Sequence, residues 1–184
     1  MNPTHQALRA GTAEAHDRVD RAFAGFDLTD RERYAAFLRA HAEVLLPYEA
    51  ALDAAGAERI APDWALRKRG DLLREDLAFL RDAGTVAGAE PAVPVLEAGN
   101  DASLAGTLYV LEGSRLGGRF LARQVPRGFP RAYLDADQAP EKWRGLLDRL
   151  DAVLSQPGAL DSALAAADRV FAAFERSAKR WSNG

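Results

Sequence analysis

LAGTLYVLEGSRLGGRF, residues 104–120, reads as a helix with one apolar face and with glycines at Gly106, Gly113, Gly117 and Gly118. At about 100° per residue, Leu104, Leu108 and Leu111 share a face, while Gly106, Gly113 and Gly117 fall on another. An interior helical glycine costs roughly 0.5–1 kcal/mol relative to alanine, so four of them call for a reason. Either a second helix packs closely there, or a bulky, flat ligand approaches the main chain. The segment by itself does not choose between the two. A phosphate-cradling loop is a poorer reading, because the Lys-Ser/Thr ending is absent and the segment does not connect a strand to a helix.

The 184 residues fit one domain, 1–184, large enough to bury a sizeable core. The net charge is −3 and no long basic run occurs, which argues against non-specific nucleic-acid binding. The chain has no cysteine. That excludes disulfides, thiolate metal sites and cysteine nucleophiles, and fits a reducing compartment. The opening MNPTHQALRAG lacks the apolar core of a signal peptide, and no apolar run approaches the ~20 residues that span a bilayer. The expectation is a soluble, cytoplasmic protein with no membrane or nucleic-acid partner.

Strand signals are nearly absent, and prolines and glycines fall between periodic segments. The pattern predicts a first helix from Asn2, with Pro3 at its first position, to just before Gly25. A second starts at a capping box formed by Thr29 and Glu32 and continues toward Leu52, with Pro47 expected to kink or interrupt it. A third spans about Asp63 to Arg81, with Leu66, Leu73, Leu77 and Leu80 as its stripe, and stops at Gly84. A connection follows over residues 84–99. The glycine-bearing helix is expected from about Asp101 to Arg123, another from Pro140 to about Leu154, and a last one from about Asp161 to Trp181. The result is a compact all-α domain of six or so helices.

The chain has three histidines, His5, His16 and His41, and no His-Glu-x-x-His spacing, so a hydrolytic zinc site is a poor fit. His16 shares a helical face with Leu8, Thr12, Val19 and Phe23 and is expected to point inward. Arg9 lies in nearly the same direction, and Asp20 follows one turn later. A carboxylate one turn from an imidazole can take one ring N–H and fix the tautomer of a metal-ligating histidine. The same residues equally describe a core histidine bonded to Asp20 or to a carbonyl. His41, among Tyr34, Phe37, Leu45 and Tyr48, is a rival without a nearby carboxylate. His5 sits near a terminus that tends to fray. Combined, one helix offers an inward histidine with a basic residue, and another a glycine face. Such a slot suits a flat macrocycle with iron at its centre.

The segments LRAGTAEAH, Leu8 to His16, and GTLYVLEGSRLGG, Gly106 to Gly118, resemble the proximal and distal motifs of the heme oxygenase family, particularly its bacterial biliverdin-producing branch. The resemblance covers nearly the whole chain. It implies a heme oxygenase-like helical bundle that holds heme between the proximal first helix and the distal glycine-bearing helix. It implies His16 as the axial ligand of the heme iron and Asp20 as its supporting partner. Gly113, Gly117 and Gly118 then give the distal helix its close approach and flexibility. Arg9 matches a basic position that meets a heme propionate, and Arg144 is chosen for a second such contact, with Lys142 and Arg149 as rivals. The implied reaction is oxidative cleavage of heme to biliverdin, carbon monoxide and free iron, using dioxygen and electrons from a reductase or ferredoxin. A bilin-binding photoreceptor is a further implied partner. The animal enzymes place an aspartate directly after the first distal glycine. Here that position is Ser114, so Gly113, Ser114 and Gly117 stand as the distal catalytic set. The alternative function is a heme- or tetrapyrrole-binding protein on the same fold without turnover.

Overall fold

A computed structural model describes residues 3–80, 94–96, 99–136 and 139–182, and among these all regular structure is helical. In chain order the helices are α1 (Pro3–Gly11), α2 (Ala13–Phe23), α3 (Arg31–Ala55), α4 (Trp64–Arg67), α5 (Gly70–Phe79), α6 (Asp101–Ala122), α7 (Pro140–Leu154) and α8 (Ala159–Ser182). A 3-10 turn, Ala57–Arg59, lies between α3 and α4. The long α8 is the hub, because α2, α3 and α6 all pack along it. Leu104, Leu108 and Leu111 of α6 are buried in one cluster with Phe37, Leu38 and Leu45 of α3 and Val170 and Phe174 of α8. The leucine face is therefore core, as its spacing predicts.

Four expectations are corrected. The predicted first helix is two helices, divided at Thr12 (φ −103°, ψ 1°). The elbow sits hard against α8: a Cβ on Gly11 would lie 2.6 Å from the Leu164 side chain. The second helix starts one residue later than the capping box implies. Asp30 is its N-cap and accepts from the Arg33 N–H at 2.9 Å, while Thr29 is bound to Asp27 instead. Pro47 does not interrupt α3. Its ring is buried, and packing along the helix offsets the missing N–H.

The predicted third helix is also two. α4 ends at Lys68, which is extended (ψ 139°), and α5 begins at Gly70. The cause is Glu49 of α3. Its carboxylate accepts the Arg69 N–H at 2.7 Å and the Gly70 N–H at 3.0 Å, capping α5 from twenty residues upstream. Burial pushes the Glu49 pKa up, and the two N–H groups work against that shift. Leu66 consequently leaves the predicted stripe and is 78% exposed. The stop at Gly84, and all of the 84–99 connection except residues 94–96 and 99, lie outside the described residues. No helix among the described residues is long and apolar enough to cross a membrane.

Candidate functional site

The four glycines of α6 have separate uses. A Cβ on Gly106 would stand 2.0 Å from the Ala163 carbonyl oxygen, so this glycine exists for backbone contact with α8. On Gly118 it would stand 3.2 Å from the Leu134 carbonyl oxygen, and on Gly113 it would meet the Trp143 ring at 3.5 Å. On Gly117 it would meet nothing within 4 Å. Helix packing and open backbone are therefore both present, at different residues. Gly106→Ala is expected to destabilise the fold by about 1–3 kcal/mol, since backbone on both sides must move. Gly117→Ala is expected to stabilise it by about 0.5–1 kcal/mol, as for an unobstructed helical glycine. Urea unfolding midpoints of the two variants check the opposite signs.

His16 does not point into the core. Its side chain is 61% exposed. Leu8, Thr12, Val19 and Phe23 all lie to one side of it, by about 20–80° on a helical wheel, so the buried stripe is centred away from it. His16 stands at the edge of that stripe, its ring 5.9 Å from the Phe171 ring of α8 and edge-on to it. Its Nδ1 lies 3.2 Å from Asp20 Oδ2. With Nδ1 protonated toward Asp20, the Nε2 lone pair is left as the outward donor. Among the described residues no group of three or more His, Asp or Glu side chains converges as a metal site.

The proximal and distal segments come level along α8. α2 runs beside it in the same direction: Gly11 meets Leu164, His16 meets Phe171, and Arg18 pairs with Glu175 at 3.2 Å. α6 starts level with Ala163 at Gly106, and its far end lies near Phe174, through Gly118 on Leu134 and the ring contacts of Tyr133, His41 and Phe174. Between these points the Tyr109 hydroxyl reaches the Thr12 side chain. His16 lies four residues beyond Thr12 and Gly113 four beyond Tyr109, one turn or about 6 Å past this contact on each helix.

Arg9 is exposed, and its charge is felt at both Tyr109 and His5. His5 packs edge-on to Tyr109 and Trp143, at 6.2 and 5.9 Å. Arg144 is exposed and bound within its own helix, to Glu141 at 3.3 Å and the Pro140 carbonyl at 3.4 Å. Arg149 is exposed, and its charge acts on Asp63. Lys142 is half-buried, and its carbonyl accepts from Arg67 at 3.0 Å.

Behind the distal turn lies a charged network that the helical pattern gave no sign of. Arg69 is 3% exposed, and its Nη2 donates to the Ser114 hydroxyl and to the Leu111 carbonyl, both at 2.8 Å. The Ser114 hydroxyl donates to the same carbonyl at 2.7 Å. The Arg69 guanidinium also lies over the Tyr133 ring, 5.0 Å from its centroid. Within the same turn, the buried Glu112 carboxylate accepts from Arg67 Nη1 at 2.8 Å and from Arg115 Nε at 3.0 Å. Arg115 returns a bond to the Arg67 carbonyl, closing a ring between α6 and the α4–α5 elbow. Burial and the neighbouring Arg69 charge lower the Arg115 pKa. Sequence separations of about 45 residues hide these pairs from any local pattern.

Comparisons with known proteins give the family and the fold. The heme oxygenase family profile matches residues 2–180. A heme oxygenase of Xanthomonas campestris pv. campestris (strain 8004) is 34% identical over 151 residues, covering 79% of this chain and 88% of that protein. The fold is similar to that of the Neisseria meningitidis heme oxygenase in its NO- and CO-bound crystal structures, with a TM-score of 0.80 at 24% identity over 100% of this chain and 94% of that one. It is also similar to the heme oxygenase of Leptospira interrogans, with a TM-score of 0.75 at 20% identity over 97% and 100% of the two chains.

Proposed function

The chain belongs to the heme oxygenase family and is an enzyme of that family; on that premise we propose that it converts heme to biliverdin, carbon monoxide and free iron in the cytoplasm, with electrons from a separate donor protein. The observation that carries the reading is the pairing of a carboxylate-backed histidine, one turn past Thr12, with an open glycine, Gly117, two turns past Tyr109 on the facing segment. The residues fit heme on the chemistry of the donor set: one imidazole nitrogen not engaged by Asp20, and one helical position where a Cβ would meet nothing. Bound heme supplies the iron at which dioxygen is activated and is itself the molecule oxidised.

The protein's contribution is to bind, orient and hydrate. His16 presents Nε2 while Asp20 holds the proton on Nδ1, which keeps the imidazole in the ligating tautomer. Arg9, exposed and with its charge felt at Tyr109, is suited to hold an anionic carboxylate of the substrate. Gly117 leaves the main chain uncovered, and Gly113 places the next residue, Ser114, at the same turn. The Ser114 oxygen, fixed by Arg69, keeps acceptor capacity toward a water in the position where animal relatives carry a carboxylate. Arg144 is a weaker candidate for a carboxylate contact, because Glu141 already engages it.

Adding hemin to the purified protein is expected to give a Soret band of histidine-ligated heme. Ascorbate under air is then expected to convert it to a verdin spectrum. A stable Soret band under the same conditions would instead mark a heme-binding protein without turnover.

A further inference from the structure

α4, α6 and α7 meet around a pocket behind the distal turn. Leu66 and Arg67 reach it from α4, Glu112 and Arg115 from α6, and Lys142 and Trp143 from the first turn of α7. It is a cavity of about 10 Å³, room for one water-sized occupant. Leu66 at its rim is 78% exposed, so the pocket meets solvent on that side. The Trp143 ring on its wall is the one that a Cβ on Gly113 would meet at 3.5 Å.

The walls carry more positive charge than negative. Arg67, Arg115 and Lys142 are cationic, and Glu112 is the carboxylate among the described lining residues. Asp63 takes the Arg67 Nε from outside at 2.8 Å, which leaves three cations against two carboxylates. Arg67, Arg115 and Glu112 are 5%, 7% and 4% exposed, so solvent screens little of the remaining unit charge. A buried charge of this kind calls for a counterion. Donors are also left over. Arg67 gives Nε to Asp63, Nη1 to Glu112 and Nη2 to the Lys142 carbonyl, so among the described residues two of its five N–H groups lack an acceptor. α7 adds to the field, because its N-terminus lines the pocket through Ala139, Lys142 and Trp143. Its N-cap is Ala139, whose side chain has nothing to accept the first-turn N–H groups with. Burial and the Arg69 charge lower the Arg115 pKa, the direction expected where positive charge is in excess.

We propose that this pocket binds one monovalent anion of the halide class, chloride, between Arg67, Lys142 and the first turn of α7. Its size admits a monatomic ion and excludes phosphate. Its charge sets the valence, since one negative charge brings three cations and two carboxylates to neutrality. A water molecule also fits, but it leaves the excess uncompensated. The ion joins α4 to α7 against Glu112 and Arg115, the residues that flank Gly113 and Ser114 in sequence. The site stands apart from heme chemistry and holds whether or not the protein turns heme over.

Chloride NMR linewidths of the full chain, purified without heme, test the site. Sodium chloride replaces sodium gluconate at constant ionic strength. The wild-type protein is expected to give an excess linewidth that saturates as a single site. Bromide is expected to remove that excess, and sulfate to leave it. Chloride at about five times its dissociation constant is expected to raise Tm by about 2–4 °C over gluconate. Lys142→Gln is expected to weaken chloride binding about tenfold or more, and Lys142→Arg to restore it. Should Lys142→Gln fail to fold, Arg67→Met/Glu112→Leu/Arg115→Met takes its place, and it is expected to lose both the linewidth and the Tm response. A linewidth that never saturates overturns the proposal. So does saturation at the same concentration in wild type and either charge-removing variant, displacement by sulfate as readily as by bromide, or a Tm equal in chloride and gluconate.

Discussion

His16→Ala is expected to lower ascorbate-driven hemin turnover by at least about 100-fold and to remove the histidine signature from the ferric spectrum. Losing a partner that merely orients a metal ligand already costs about 10–100-fold, so losing the ligand sets that range as a floor. The fold should tolerate the change, because the His16 side chain is 61% exposed and makes its polar contact with the equally exposed Asp20. His41→Phe is the matched control. His41 is wedged among Phe23, Phe37, Tyr133 and Phe174, with Nδ1 bonded to the Phe37 carbonyl at 2.9 Å. Burial pushes its pKa down to about 4, so it stays a neutral packing group at physiological pH. A phenylalanine of similar shape should leave hemin ligation intact. If the His41 variant loses ligation and the His16 variant keeps it, the axial assignment is wrong.

Glu112→Ala carries the largest expected stability loss, about 3–5 kcal/mol, because it strips the carboxylate from between two buried guanidiniums. In a chain of this length that corresponds to a drop in Tm of very roughly 6–20 °C. The whole network is less costly to remove than its centre. A triple variant, Arg67→Met/Glu112→Leu/Arg115→Met, leaves no unpaired charge and is expected to recover most of the loss, as apolar groups of similar volume often replace buried ion pairs at little cost. Thermal unfolding of the two variants tests both halves. Equal midpoints for wild type and Glu112→Ala would mean that Asp63, 2.8 Å from Arg67, and solvent carry the compensation instead.

The helices whose ends are signalled locally were legible. α6 starts where Asn100 can accept the Ser103 N–H, α7 starts at Pro140, and α8 resumes after the Pro157–Gly158 break. The breaks inside predicted helices were not. The α4–α5 elbow is imposed by Glu49, twenty residues upstream of its effect, and at the α1–α2 elbow Gly11 passes close to the Leu164 side chain of α8. The same limit applies to the site. His16, Asp20 and the distal glycines stand in two short motifs, whereas Arg69 meets Ser114 across 45 residues of chain, at an elbow capped by Glu49 of α3. The wheel also misplaced His16 by treating membership of a face as a direction. Its neighbours lay to one side, and the ring sits at the rim.

The contact between Tyr109 and Thr12 joins α6 to the α1–α2 elbow, while α2 and α6 each pack along α8. Because it lies about 6 Å short of His16 and of Gly113, a relative rotation of about 10° about it changes the gap there by about 1 Å, with no sliding along α8. Widening toward Phe120 is greater in proportion to the distance.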